Sequence, residues 1–162
     1  MRPHDNLCFL QDVPHLFKSV KKAVITNQII YLPDDIVREG NLPTNVVKAS
    51  HLKDLVNKDG KFELRAAPRL TDDALKPQHF ATMRVSNARA VVSQRTSTDL
   101  QSLALETQDP SYITTGWFVK HINRWFDLMT SRCPQLALRK SNEEKYLDAI
   151  SHLKKPLSCL NV

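Results

Sequence analysis

Glycine is scarce in this chain: Gly40, Gly60 and Gly116 are the only three in 162 residues, and no two are close together. Neither a Walker A loop nor a G-x-G-x-x-G turn can be written from isolated glycines, so any nucleotide site must be built from side chains. Cysteine is equally sparse and odd in number, with Cys8, Cys133 and Cys159 far apart and no C-x-x-C pair. That pattern fits a reduced intracellular compartment better than a disulfide framework. His4 and Cys8 stand four apart, but nothing nearby completes a four-ligand zinc set. Long apolar runs are missing as well: none approaches the roughly 18 to 20 residues of a membrane helix. The stretch Met1 to Leu10 is too short and too interrupted for a signal-peptide core. Acids are in deficit, 17 against 23 Lys plus Arg, which leaves a net charge of +6 and a pI near 9.3. Such an excess favours nucleic acid or nucleotide phosphates as partners, beside its plain use for solubility. No Ser-His-Asp or Cys-His arrangement follows from local spacing, and the histidines lack the i, i+4 pairing of a helical metal site.

What is present is enough apolar sequence, 41%, for one real core. Leu7 to Leu10 form a short apolar run ending at Asp12, and Pro14 suits the first turn of a helix. Leu16, Phe17, Val20, Ala23 and Val24 line one stripe of that helix, with Lys18, Lys21 and Lys22 expected towards water or phosphate. Tyr31 to Pro43, punctuated by Pro33, Gly40 and Pro43, reads as a connecting loop. Thr44 or Asn45 is placed to cap a helix carrying Val47, Leu52, Leu55 and Val56, which ends at Asp59-Gly60. Thr71 is a further N-cap, and Pro77 opens a longer helix through Phe80, Met83, Ala88, Val91 and Val92. The polar stretch Thr96 to Pro110 reads as its fraying end and a loop. Tyr112 to Met129 carries the strongest periodicity, with Ile113, Trp117, Phe118, Ile122, Trp125, Phe126 and Met129 at three- and four-residue steps, and predicts the central core helix. A last helix starts at the box Ser141-Asn142-Glu143-Glu144, buries Tyr146, Leu147, Ile150 and Leu153, and stops before Pro156. The fold expected is mainly α, five or six helices around Trp117, Phe118, Trp125 and Phe126, preceded by the orphan strand at Leu7 to Leu10.

Four segments, in order, carry a resemblance. Asp12-Val13-Pro14-His15-Leu16-Phe17-Lys18 resembles the D-x-P-H-L-x-K segment of P-element-type transposases, the group that includes the THAP-related transposase. Arg69-Leu70-Thr71 is similar to that family's K-L-T. Met83-Arg84-Val85 with Ser93 is similar to M-K-V and its downstream serine. Phe126-Asp127-Leu128-Met129-Thr130-Ser131-Arg132 resembles F-D-x-x-N-S-R. The resemblance implies a helical GTP-binding insertion domain that interrupts a ribonuclease-H-like catalytic domain. On that reading residues 1–30 are the end of the catalytic half, 31–155 the insertion domain and 156–162 a loose tail.

The family binds GTP without a P-loop, in keeping with the glycine poverty. Its DNA transposition uses divalent metal, Mg²⁺, held by three carboxylates. Asp12 is the one metal-binding, catalytic acid implied here; the strands carrying the others and the zinc module are expected to be missing. The chain is therefore expected to be a fragment or degenerate copy, not an enzyme by itself, nuclear, with GTP and a second copy of itself as partners and DNA as a partner in the full-length family. By the same resemblance the GTP-binding residues are Arg69, Arg84, Val85, Ser93, Asp127 and Thr130. Asp127 is the residue implied to read the base, because a carboxylate accepts guanine N1–H and N2–H₂ together and adenine offers no such pair. Arg replaces the family's Lys at positions 69 and 84, which keeps charge and changes geometry, and Thr130 replaces an asparagine amide. The rival reading is a basic helical module without nucleotide, binding DNA phosphates or a protein through Lys18, Lys21, Lys22, Arg84 and Arg89.

Overall fold

The computed structural model describes residues 12–59, 70–75, 84–131 and 143–159. Helix α1 (Val13–Asn27) starts where the sequence places it: the Asp12 carboxylate accepts the His15 N–H at 3.4 Å and Pro14 stands in the first turn. The chain reverses at Gln28 and enters strand β1 (Ile29–Tyr31). Short helix α2 (Asp34–Glu39) follows, then strand β2 (Val46–Lys48), which pairs antiparallel with β1 in the register Ile29 with Lys48, Ile30 with Val47 and Tyr31 with Val46. Helices α3 (Ala49–Asp59), α4 (Asp72–Leu75), α5 (Val85–Val91), α6 (Gln94–Thr107), α7 (Ser111–Thr130) and α8 (Glu143–Cys159) complete the described chain. The mainly helical fold is as expected. The run Leu7 to Leu10 lies outside the described residues, as do Arg69, Pro77, Phe80 and Met83.

Several local readings change. The segment Tyr31 to Pro43 is not all loop, because Pro33 opens α2 and Ile36 is buried in the core. Val47 belongs to β2 rather than to a helix capped at Thr44 or Asn45. Adjacent β-branched Val46 and Val47 pair across to β1, while the Thr44 hydroxyl is taken by Thr114, 3.1 Å away. The polar stretch after Thr96 is the fourteen-residue helix α6. Its period is hard to read because hydroxyl residues crowd it. Thr98, Ser102 and Thr107 each donate to the carbonyl four residues back, while Leu100, Leu103 and Ala104 face inward. In α8 Leu147 is exposed and Ala149 and His152 are buried instead. The helix also runs on through Pro156, whose missing N–H removes one bond near its end.

Helix α7 is the axis of the core. Phe118, Val119, Ile122, Trp125 and Phe126 are buried along it, and Trp117 is half-buried. Helix α6 returns antiparallel after the short connection Gln108–Pro110, and Gly116 permits its close approach. The Ser97 hydroxyl donates to the Gly116 carbonyl at 2.8 Å, and a Cβ at Gly116 would sit 3.1 Å from the Ser97 carbonyl oxygen. On the opposite flank Phe17 of α1 stacks on Phe126 with centroids 4.0 Å apart. His51 of α3 is buried between two hydroxyls of α7, Nδ1 2.8 Å from Thr115 Oγ1 and Nε2 3.3 Å from Ser111 Oγ, with its ring stacked on Tyr112 at 4.0 Å. The Tyr112 hydroxyl donates to Asp54, and burial followed by that bond pushes its pKa up to about 12.

Two outcomes test this packing. Gly116→Leu should cost about 1 to 3 kcal/mol in urea unfolding, through forced separation of α6 and α7. Gly116→Ala should be nearly neutral, since helix propensity gains about 1 kcal/mol and offsets the crowding. His51 is held below its ordinary imidazole pKa by burial first, then by Lys48, against the weaker upward pull of Asp109 and Asp54. The unfolded chain therefore binds this proton more readily than the folded one. Stability should fall as pH drops below the unfolded value of 6.5, at a slope of at most about 1.4 kcal/mol per pH unit, until the folded ring itself protonates. His51→Gln should flatten that part of the profile in denaturant melts.

Candidate functional site

Helix α7, with 20 residues, is longer than its hairpin partner α6, with 14. Gly116, the sixth residue of α7, lies against Ser97, the fourth of α6, so the last turns of α7 overhang the start of α6. Into that overhang pack α1, through Phe17 on Phe126, and α5, through Arg89. Of the sequence-predicted residues, Arg84 and Val85 stand at the start of α5, Ser93 at the start of α6, and Asp127 and Thr130 in the last turn of α7.

Asp127 is half-buried near the C-terminus of α7, where the helix dipole disfavours a negative charge. Two donors compensate it. Arg89 Nη2 lies 2.8 Å from Oδ1, and Asn123 Nδ2 donates to Oδ2 at 2.9 Å from one turn back. The Arg89 guanidinium also lies over the Phe126 ring, 5.4 Å from its centroid. Asn123 was not anticipated from the sequence, although the spacing Asn123-x-x-x-Asp127 carries it. The pairing of Arg89, 38 positions away, has no local signal.

Arg84 is exposed at the N-cap position of α5, and Val85 is the helix's first residue, half-buried. Ser93 caps α6. Its hydroxyl accepts the Thr96 N–H at 3.1 Å and meets the Thr96 hydroxyl at 2.9 Å, which in turn donates to the Ala90 carbonyl. Thr130 donates to the Phe126 carbonyl at 2.7 Å, so its proton is used within the helix and only its lone pairs face outward chemistry. A carboxylate for a purine edge, a cation for phosphate and two hydroxyls suit a guanine nucleotide in kind.

The set of cations expected to face phosphate changes. Lys21 lies on the same stripe as Phe17 and Val24 and is buried, 5% exposed, its long stem packed inward and its pKa lowered by burial. Arg89 is paired with Asp127. Lys22 and Arg84 keep the outward position expected of them, and Lys18 is half-buried.

Asp12, the acid assigned to metal by resemblance, is exposed and caps α1. Among the described residues no three His, Cys, Asp or Glu side chains converge on a point where a metal ion could sit. The described residues thus do not fit a two-metal centre. No helix among the described residues is long and apolar enough to cross a membrane.

Comparison with known proteins bears on the family and the fold. No curated protein sequence matches the chain. Among solved structures, the Drosophila P element transposase strand transfer complex superposes with a TM-score of 0.70 at 18% identity, covering 93% of this chain and 34% of the other. At that identity the likeness shows the fold, and this chain spans about a third of the transposase chain. A family profile, TNP-like, GTP-binding insertion domain, matches residues 15–142, from α1 through the end of α7 and beyond. The chain therefore belongs to the TNP-like, GTP-binding insertion domain family, that of the P-element-type transposases its motifs resemble.

Proposed function

We propose that this domain binds GTP at the overhanging end of α7 and supplies the nucleotide as a cofactor for P-element-like DNA transposition. The observation that carries the reading is Asp127, a half-buried carboxylate on the overhang of α7 with Arg89 of α5 beside it, inside the segment that matches a GTP-binding family. In this reading Asp127 accepts guanine N1–H and N2–H₂, and Arg84, with Arg69, neutralises the phosphates. Val85 lines the base, while Ser93 and Thr130 offer hydroxyl lone pairs. The bound nucleotide would bring a triphosphate and a guanine edge, and this chain would bind and orient it.

Transposition is proposed for the whole transposases, with DNA as partner and the nucleus as the place. This chain alone is proposed to be non-catalytic, since a two-metal centre requires acids beyond Asp12. The division near residue 30, with the catalytic half before it and the insertion domain after it, is kept as part of the proposal.

Calorimetric titration should show GTP binding more tightly than ATP at constant salt. Asp127→Asn should weaken GTP by roughly tenfold to a hundredfold, the equivalent of about 1.5 to 3 kcal/mol for a charge-assisted hydrogen bond. It should also gain affinity for XTP, because the amide can donate to the O2 carbonyl that replaces the N2 amine. Equal affinity for GTP and ATP, or none for either, would overturn the nucleotide reading in favour of a basic helical module. Binding of DNA that weakens steeply with ionic strength would then be that module's signature.

A further inference from the structure

We propose that Arg89 is a placeholder for the guanine base: in the nucleotide-free domain it occupies the Asp127 carboxylate, and GTP must displace it to be read. This inference rests on the assignment of Asp127 to the base. Guanine would present two parallel N–H donors to a carboxylate and a flat π-surface to its neighbours. The free domain meets the same demand internally. Arg89 Nη2 donates to Asp127 Oδ1 at 2.8 Å, Asn123 Nδ2 donates to Oδ2 at 2.9 Å, and the planar guanidinium lies 5.4 Å from the centre of the Phe126 ring.

The two donors differ in how readily they leave. Asn123 sits on the same helix as Asp127, one turn earlier, so it holds the carboxylate's rotamer and is a positioning residue that need not move. Arg89 comes from α5, and both partners are about half exposed, 55% for Arg89 and 44% for Asp127. An exposed ion pair of this kind is weak, and an arginine swung away returns its charge to water rather than leaving it buried. Each carboxylate oxygen also has two lone-pair directions, which lets Asn123 remain while an incoming edge replaces Arg89. Displacement lowers the affinity for guanine nucleotides without touching the phosphate contacts. Arg89 is thereby a specificity-tuning residue: it sets how much of the guanine edge's binding appears as net affinity and denies Asp127 to weaker donors.

The test is titration of wild type, Arg89→Ala and Asp127→Asn with GTP and ATP, with thermal melts confirming that each variant folds. Arg89→Ala should bind GTP about three- to tenfold more tightly than wild type, the size of one exposed ion pair plus a cation–π contact. Its ATP affinity should not change. Guanidinium chloride at tens of millimolar should compete with GTP in Arg89→Ala more strongly than sodium chloride at equal ionic strength, because the free ion refills the vacated place. Unchanged or weaker GTP binding by Arg89→Ala, with wild type still preferring GTP over ATP, would overturn the placeholder while leaving the GTP reading in force. Absence of any GTP preference in both proteins would overturn the assignment of Asp127 itself, and the placeholder with it.

Discussion

The Ser97 hydroxyl donates to the Gly116 carbonyl at 2.8 Å, with room for little more than a hydrogen at position 116, and that one close approach sets the spacing of the α6–α7 hairpin. With α6 drawn in on one side, α7 has its remaining faces free to take β2, α1 and α8 in turn. Thr114 and Thr115 reach the Thr44 hydroxyl, the Lys48 N–H and His51 from the second turn of the helix. Small and hydroxylated residues thus do in the first half of α7 what aromatic residues do in the second. The polar pairs fix orientation, and Phe118, Trp125 and Phe126 supply the burial.

The place of Asp127 follows from the length of α7. An α7 as long as α6 would end at Arg124, short of Phe126, and the Phe17 to Phe126 stack would not exist to bring α1 alongside. The extra turns carry Asp127 to a place where its own helix dipole opposes its charge. That opposition is met by Arg89 and Asn123, which orient the carboxylate while it stays within reach of solvent. A nucleotide site of the kind proposed would need no glycine loop, because its recognising groups would be side chains on helices instead of backbone amides.

Most of the charged surface is ordinary by comparison. Lys58 with Glu106 and Arg124 with Asp148 are exposed pairs that tie α3 to α6 and α7 to α8. Pairs of that exposure contribute roughly 0 to 1 kcal/mol each. The basic balance of the chain therefore says little about the fold and more about which ligands approach it.

The sequence by itself determined whatever depends on near neighbours. Asp12 followed by Pro14 starts α1, Thr71 caps α4 by accepting the Ala74 N–H, and the aromatic period from Trp117 to Phe126 makes α7 the core helix. Three isolated glycines excluded a phosphate loop, and the motifs around Arg84, Ser93 and Asp127 named the family. The tertiary structure alone decided the features that join distant segments. Val46 to Lys48 became a strand because β1 offered a partner, and Gln94 to Thr107 became a helix because α7 buried its thin apolar stripe. Lys21 went inside because it shares a face with Phe17 and Val24. Arg89 met Asp127 because α5 was packed into the overhang, 38 positions away in sequence. Local backbone preference extends over one turn of helix, whereas burial and charge pairing depend on which elements the whole chain brings into contact.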